Sequence, residues 1–242
     1  MKKKFLSLLL AGVVAVSMTG CSEAAKEQKE TTAVTTTRTT AVEFADDEAS
    51  SEGGNYISPK GEVVLGEYKG VSAVKTDNGQ STSTDKDWQE RVMLKVILNS
   101  TYTGLSHADI QDYVDETLEF NKKICDDGGY EFGEYLALTY DMSEDEFEDA
   151  VKATGEYMVK LNLALNKIAE KENYSISADE LKAGAETYAG LYGYEDVDSF
   201  KKVVSDDVLT QMLLNDKAYN YVIENAVTEQ VQVETTVVNG AE

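Results

Sequence analysis

The 242-residue chain sets 45 acidic against 22 basic residues, a formal charge of −23, which excludes a phosphate-binding basic surface and a polybasic membrane patch. One histidine excludes a histidine-built metal cluster, and two cysteines exclude a disulfide-stapled scaffold. A single proline, against an average usage of about 5%, favours long helices over a turn-rich sandwich or barrel.

At the N-terminus Lys2, Lys3 and Lys4 precede an apolar run from Phe5 to Val16. That run is too short to cross a bilayer as a free helix and has the length of a signal-peptide core. It closes on Ser17-Met18-Thr19-Gly20-Cys21, which resembles the lipobox of bacterial lipoproteins. Residues 1–20 are therefore expected to be a lipoprotein signal peptide and Cys21 the lipidated residue. Two or more acyl chains there would hold the protein stably at the outer face of the cell membrane. Residues 21–60 are polar, with seven threonines among the ten residues from Thr31 to Thr40. Such a segment buries too little apolar surface to offset its ordering entropy, so it reads as a disordered tether. Its root-mean-square reach is roughly 35 Å.

Residues 61–75 hold two β-prone runs around Gly66 and Gly70, which predict a strand or a hairpin. Residues 76–84 read as a linker. From 85 to 228 the helical period dominates. A first helix carries Trp88, Val92, Val96 and the neighbouring leucines to about Asn99. Ser106 with Asp109 is a variant capping pair, opening a helix with Ile110, Tyr113, Val114, Thr117, Leu118 and Ile124 on one side and Gly128-Gly129 as its stop. A short helix with Phe132, Tyr135, Leu136 and Leu138 follows. Ser143 with Glu146 opens a long helix, about 28 residues and roughly 42 Å, which is expected to project as an arm or to pair with one neighbour. Ser177 with Glu180 opens the next, carrying Leu181, Ala185, Tyr188 and Tyr192. Asp198 is expected to cap a short helix with Phe200, and Ser205 the last, with Leu209, Met212, Leu213, Tyr219 and Val222. Residues 229–242 read as an extended tail.

Three features invite chemistry and are read as structural. Cys125 lies beside Asp126 and Asp127, which raise a thiol pKa and make a poor nucleophile. The six carboxylates between Asp141 and Asp149 have helical spacing and suit a helix N-terminus better than a calcium loop. His107 stands one residue into a capped helix, without a catalytic constellation. Neither a metal nor another cofactor is expected.

The run Tyr-Met-Val-Lys-Leu-Asn-Leu-Ala-Leu-Asn-Lys-Ile-Ala-Glu-Lys-Glu-Asn, residues 157–173, is similar to the arm helix of trigger factor. The following Tyr174-Ser-Ile-Ser-Ala-Asp-Glu-Leu fits the same family, as do the spacing to Ala185, Tyr188, Tyr192 and Gly193, the Leu209/Leu213/Lys217 helix and the ending Val222-Ile-Glu-Asn-Ala-Val. Upstream, Val64-x-Leu-Gly-x-Tyr-Lys-Gly resembles the segment that leaves the family's N-terminal domain. The resemblance covers residues 62–75 and 88–228. It implies a mainly α, multi-helical trigger-factor C-terminal/SurA-like domain with a long arm helix. It further implies a cradle holding unfolded segments, here unfolded or nascent exported proteins. Tyrosine suits a half-exposed binding surface, since its ring is apolar and its hydroxyl wet. Tyr188, Leu191, Tyr192 and Tyr194 form the least periodic apolar cluster and are the expected client-contact residues. Two departures limit the resemblance. The basic Gly-Phe-Arg-x-Gly-Lys ribosome-binding loop is missing, so no ribosome partner is expected. Only Thr76 to Asp87 stands where the family carries its FKBP-type prolyl isomerase domain, so no isomerase activity is expected. The alternative reading is a non-catalytic lipoprotein for one envelope partner, an adhesin or an assembly factor.

Overall fold

Five of the described helices open on a serine or aspartate side-chain cap. A computed structural model of the protein describes residues 44–45, 57–75 and 84–229. The expected signal peptide, Cys21, most of the tether, residues 76–83 and the tail from 230 onward lie outside the described residues. The described helices are α1 (Thr84–Asn99), α2 (His107–Gly128), α3 (Phe132–Tyr140), α4 (Glu144–Lys171), α5 (Ala178–Leu191), α6 (Val197–Lys201) and α7 (Asp206–Glu224).

Ser143 and Ser177 make complete capping boxes with Glu146 and Glu180, each serine accepting from the N3 amide while the glutamate accepts from the serine amide. The carboxyl of Glu146 is held below its ordinary range by the Ser143 backbone and hydroxyl. That of Glu180 is pushed down to about 2, first by Lys217, then by the Ser177 amide and hydroxyl. Ser106 accepts from the Asp109 amide at 3.1 Å, but the Asp109 carboxylate reaches elsewhere, accepting from the Lys60 amide at 2.7 Å. Gly129, at φ 73°, ends α2 in the left-handed conformation that glycine adopts without strain. The cap of α6 is Asp196, not Asp198. Asp196 has extended backbone (φ −152°) and its carboxylate accepts from the Ser199 amide at 2.6 Å, whereas Asp198 falls in the first turn.

Among the described residues six short strands pair in twos: β1 (Phe44–Ala45), β2 (Glu62–Val64), β3 (Ser72–Val74), β4 (Thr101–Thr103), β5 (Leu105–Ser106) and β6 (Val227–Glu229). Of the strand or hairpin expected around Gly66 and Gly70, strands form at both runs but do not pair with each other. β2 pairs antiparallel with β4, with Val63 opposite Tyr102, and β3 pairs parallel with β6, with Ala73 opposite Thr228. The intervening chain is held against the end of α1, where the Gly66 amide donates to Ser100 Oγ at 3.3 Å, so each run finds a distant partner. The other side of β3 is capped by α1: Arg91 donates to the Val74 carbonyl at 3.0 Å and Lys95 to that of Ser72 at 2.5 Å.

The folded body begins before residue 61. Ile57 joins the core, with 9% of its surface exposed. One buried cluster gathers Tyr113, Val114, Leu136, Phe147, Val151, Phe200 and Leu209. A second gathers Tyr68, Ala73, Val92, Val96, Ile168, Ala218 and Val222. The 28 residues of α4 serve both, with buried side chains from Phe147 to Ala169. The long helix therefore has more than one neighbour, packing on α1, α2, α3 and α7 as a spine. Along α7 it carries an amide network: Asn215 Nδ2 donates to Asn162 Oδ1 at 3.0 Å, and Gln211 Nε2 to Asn166 Oδ1 at 2.6 Å. A slip of either helix would strand Asn162 and Asn215, both buried, so the network fixes their register.

Candidate functional site

The four residues expected to meet a client sit around the turn from α5 to α6, and the structure gives them unequal positions. Tyr188 is half-buried, and its hydroxyl donates to Asp216 Oδ2 at 2.6 Å, tying α5 to α7. Its ring stacks on Tyr192 at 5.8 Å, and Tyr192 stacks on Phe200 at 6.0 Å. Tyr194 meets Phe200 edge-on at 5.5 Å. Tyr192 is 9% exposed and Phe200 not at all, so this aromatic ladder is the local core of the corner. Leu191 alone stands well out, 60% exposed. Burial pushes the Tyr192 phenol up to about 12, and burial together with the Asp216 carboxylate raises that of Tyr188, so both rings are neutral packing groups at neutral pH.

The larger exposed apolar side chains lie elsewhere. Leu138 on α3 is 77% exposed and Tyr130, between α2 and α3, 58%. The Tyr130 ring lies over Gly128, one turn beyond Ile124, which is 38% exposed on the same face of α2. The sequence sets Ile124 on the apolar side of α2 and Leu138 among the apolar residues of α3, and the structure exposes both. In α3 the fully buried residue is Leu136, and Leu138 two positions on points to the opposite face. In α2 the buried position is Cys125, 1% exposed, rather than Ile124. The same offset operates in α1, where Val92 and Val96 are fully buried while Leu94 and Leu98 are 44% and 72% exposed. Leu94, Leu98 and Leu138 each stand two positions from a fully buried residue of the same helix, whereas Ile124 is one position from Cys125.

Reactive chemistry has little support. Burial first, and Asp126 second, raise the Cys125 thiol, leaving it an inert packing group. Among the described residues no group of three or more histidine, cysteine, aspartate or glutamate side chains could hold a metal ion. No described helix is long and apolar enough to cross a membrane. An open groove of about 610 Å³ runs along α2, but it is lined mostly by charge, including Asp115, Glu119, Lys122, Lys123 and Asp126. The dense cluster at the end of α4 is a structural clasp. The Tyr68 hydroxyl donates to Glu172 Oε1 at 2.6 Å and Lys69 pairs with the same oxygen at 2.9 Å. Tyr68 first and Lys69 second hold the Glu172 carboxyl below its ordinary range. The clasp ties residues 57–75 to the spine.

Residues 78–227 match the family model of the bacterial trigger factor protein C-terminus. Over 165 residues the chain is 22% identical to trigger factor of Clostridium kluyveri, covering 67% of this chain and 38% of that protein. Over 83 residues it is 34% identical to trigger factor of Bacillus thuringiensis, covering 34% of this chain and 19% of that protein. The chain thus spans well under half the length of these curated relatives. The crystal structure of a hypothetical Mycoplasma protein aligns with a TM-score of 0.44 at 12% identity, over 74% of this chain and 95% of that one.

Proposed function

Because the chain belongs to the bacterial trigger factor C-terminus family, we propose that it is a holdase for unfolded exported polypeptides, carried on the outer face of the cell membrane by lipid on Cys21. The observation that carries this reading is the set of exposed apolar side chains on a strongly acidic, helical body: Ile124, Tyr130 and Leu138 on one helical pair, and Leu191 on another. Such side chains, spread over separate elements, grip varied apolar segments without one fixed geometry, and the acidic exterior keeps the complex soluble. Within the cluster expected from sequence, Leu191 makes the direct contact, with the edges of Tyr188 and Tyr194. Tyr192 supports them from below. The body holds clients without isomerising them. What supports this is that only residues 75–83 join β3 to α1, where the family resemblance expects an isomerase domain.

The test is a triple variant, Tyr130→Ser, Leu138→Ser and Leu191→Ser, titrated against a denatured model protein. The variant is expected to need at least threefold more chain than the unaltered protein for half-suppression of aggregation. Its melting temperature should stay close to that of the unaltered protein, because substitutions at such exposed sites cost within about 0.5 kcal/mol each. Equal suppression by both chains would remove these side chains from client contact. The anchor has its own test. Cys21→Ser is expected to move the protein from the membrane fraction of the producing bacterium to the soluble fraction, and unchanged membrane recovery would contradict lipidation at Cys21.

A further inference from the structure

β5 lies at a seam between the folded body and the N-terminal segment. Leu105 and Ser106 are fully buried, and Ser106 also caps α2 through the Asp109 amide. Residues 57–61 press on the seam from the body. A Cβ on Gly61 would meet Leu105 Cδ2 and Leu163 Cδ1 at 3.2 Å each, and the Lys60 amide is held by Asp109. The partner strand of β5 comes from elsewhere. It is Phe44–Ala45, running parallel, with Phe44 opposite Leu105 and Ala45 opposite Ser106.

This partner has the character of a client segment. Phe44 is the one phenylalanine between Cys21 and Ile57, and Ala41, Val42, Phe44 and Ala45 form a short apolar stretch, broken only by Glu43, in a segment otherwise rich in threonine, serine and acids. Among the described residues the pairing covers two residues, is parallel and belongs to no larger sheet. A two-stranded pair of that size is marginal by itself. Being on the same chain, the segment is presented at a high effective concentration, which keeps a weak pairing occupied until a longer strand competes.

We infer that the β5 edge is a strand-addition site whose resident strand is the chain's own Phe44 segment, and that an extended client segment takes the same edge by displacing it. The displacement step rests on the holdase reading, whereas the strand seat itself does not. In the full chain, Phe44→Pro with Ala45→Pro removes both backbone donors of the resident strand. Amide exchange at β5 is expected to rise at least tenfold, with the β2–β4 amides unchanged as an internal check on folding. A fluorescent peptide of residues 39–48 is expected to bind this variant at least tenfold more tightly than the unaltered chain, and a denatured model protein in excess should chase it off. Thr36→Pro with Thr37→Pro, in the same segment, should change neither reading. Unchanged exchange at β5, or equal peptide affinity, would overturn the strand seat. Peptide that stays bound in excess client would overturn the displacement. Failure of the unaltered chain to suppress aggregation would sink the holdase reading alone, because exchange and peptide binding still decide the seat.

Discussion

Truncating Phe200 to alanine is expected to destabilise the protein by about 3–5 kcal/mol, the cost of removing a fully buried phenylalanine. The site has little means to collapse. Phe200 is held between a stacked Tyr192 and an edge-on Tyr194, and Tyr192 is stacked in turn on Tyr188. Phe200 is the one buried residue among the five of α6. Without it α6 keeps the partly buried Val197, an exposed Lys201–Asp206 ion pair and its Asp196 cap, and caps are worth about 1 kcal/mol. Urea unfolding should show the midpoint fall, and near-ultraviolet dichroism should show the tyrosines losing their fixed environment. A loss under about 1 kcal/mol would mean that the ladder is not the core of the corner.

Gly66→Ala is expected to cost more than its single methyl suggests, about 3 kcal/mol, the upper end of overpacking penalties. A Cβ at Gly66 would stand 2.0 Å from the Asn99 carbonyl oxygen and 2.6 Å from its carbon. Those atoms are backbone at the end of α1, so no rotamer change relieves the clash. The chain must lift away, and two contacts go with it: the Gly66 amide to Ser100 Oγ and the Asn99 amide side chain to the Glu67 carbonyl at 3.3 Å. β2 and β4 lie on either side of this crossing and should lose register. The check is thermal unfolding together with amide exchange at Val63 and Tyr102. A melting temperature within a degree or two of the unaltered protein would show that the crossing is looser than described.

Most of the helical frame is legible in the sequence because its signals are local. Serine followed three residues later by glutamate marks both capping boxes, and Gly128-Gly129 marks the stop of α2. The long helix follows from an uninterrupted 3.6-residue pattern between Phe147 and Ile168. What is hard to read is non-local. Nothing within residues 61–75 states that β2 seeks Thr101–Thr103 and β3 seeks Val227–Glu229, since pairing depends on where α1 and α7 deliver those partners. The covering of α4 by four neighbours is likewise a property of the assembled body. At the candidate site the difficulty lies in the tyrosines, whose rings serve equally for packing and for contact. Tyr192 and Tyr194 look alike in sequence, and the corner is organised by Phe200, which only the fold brings to them. Leu94, Leu98 and Leu138 each stand two positions from a buried residue, on the far side of the helix, but that spacing alone does not decide exposure, since Leu163 and Leu165 are both buried along α4.

The most direct measurement mixes the full chain with a denatured model protein and reads aggregation and prolyl isomerisation in the same sample. A holdase without an isomerase domain suppresses aggregation in proportion to added chain and leaves the isomerisation rate at that of the buffer. Undiminished aggregation at excess chain would contradict client holding. Accelerated isomerisation would contradict the reading of residues 75–83 as a bare connection between β3 and α1.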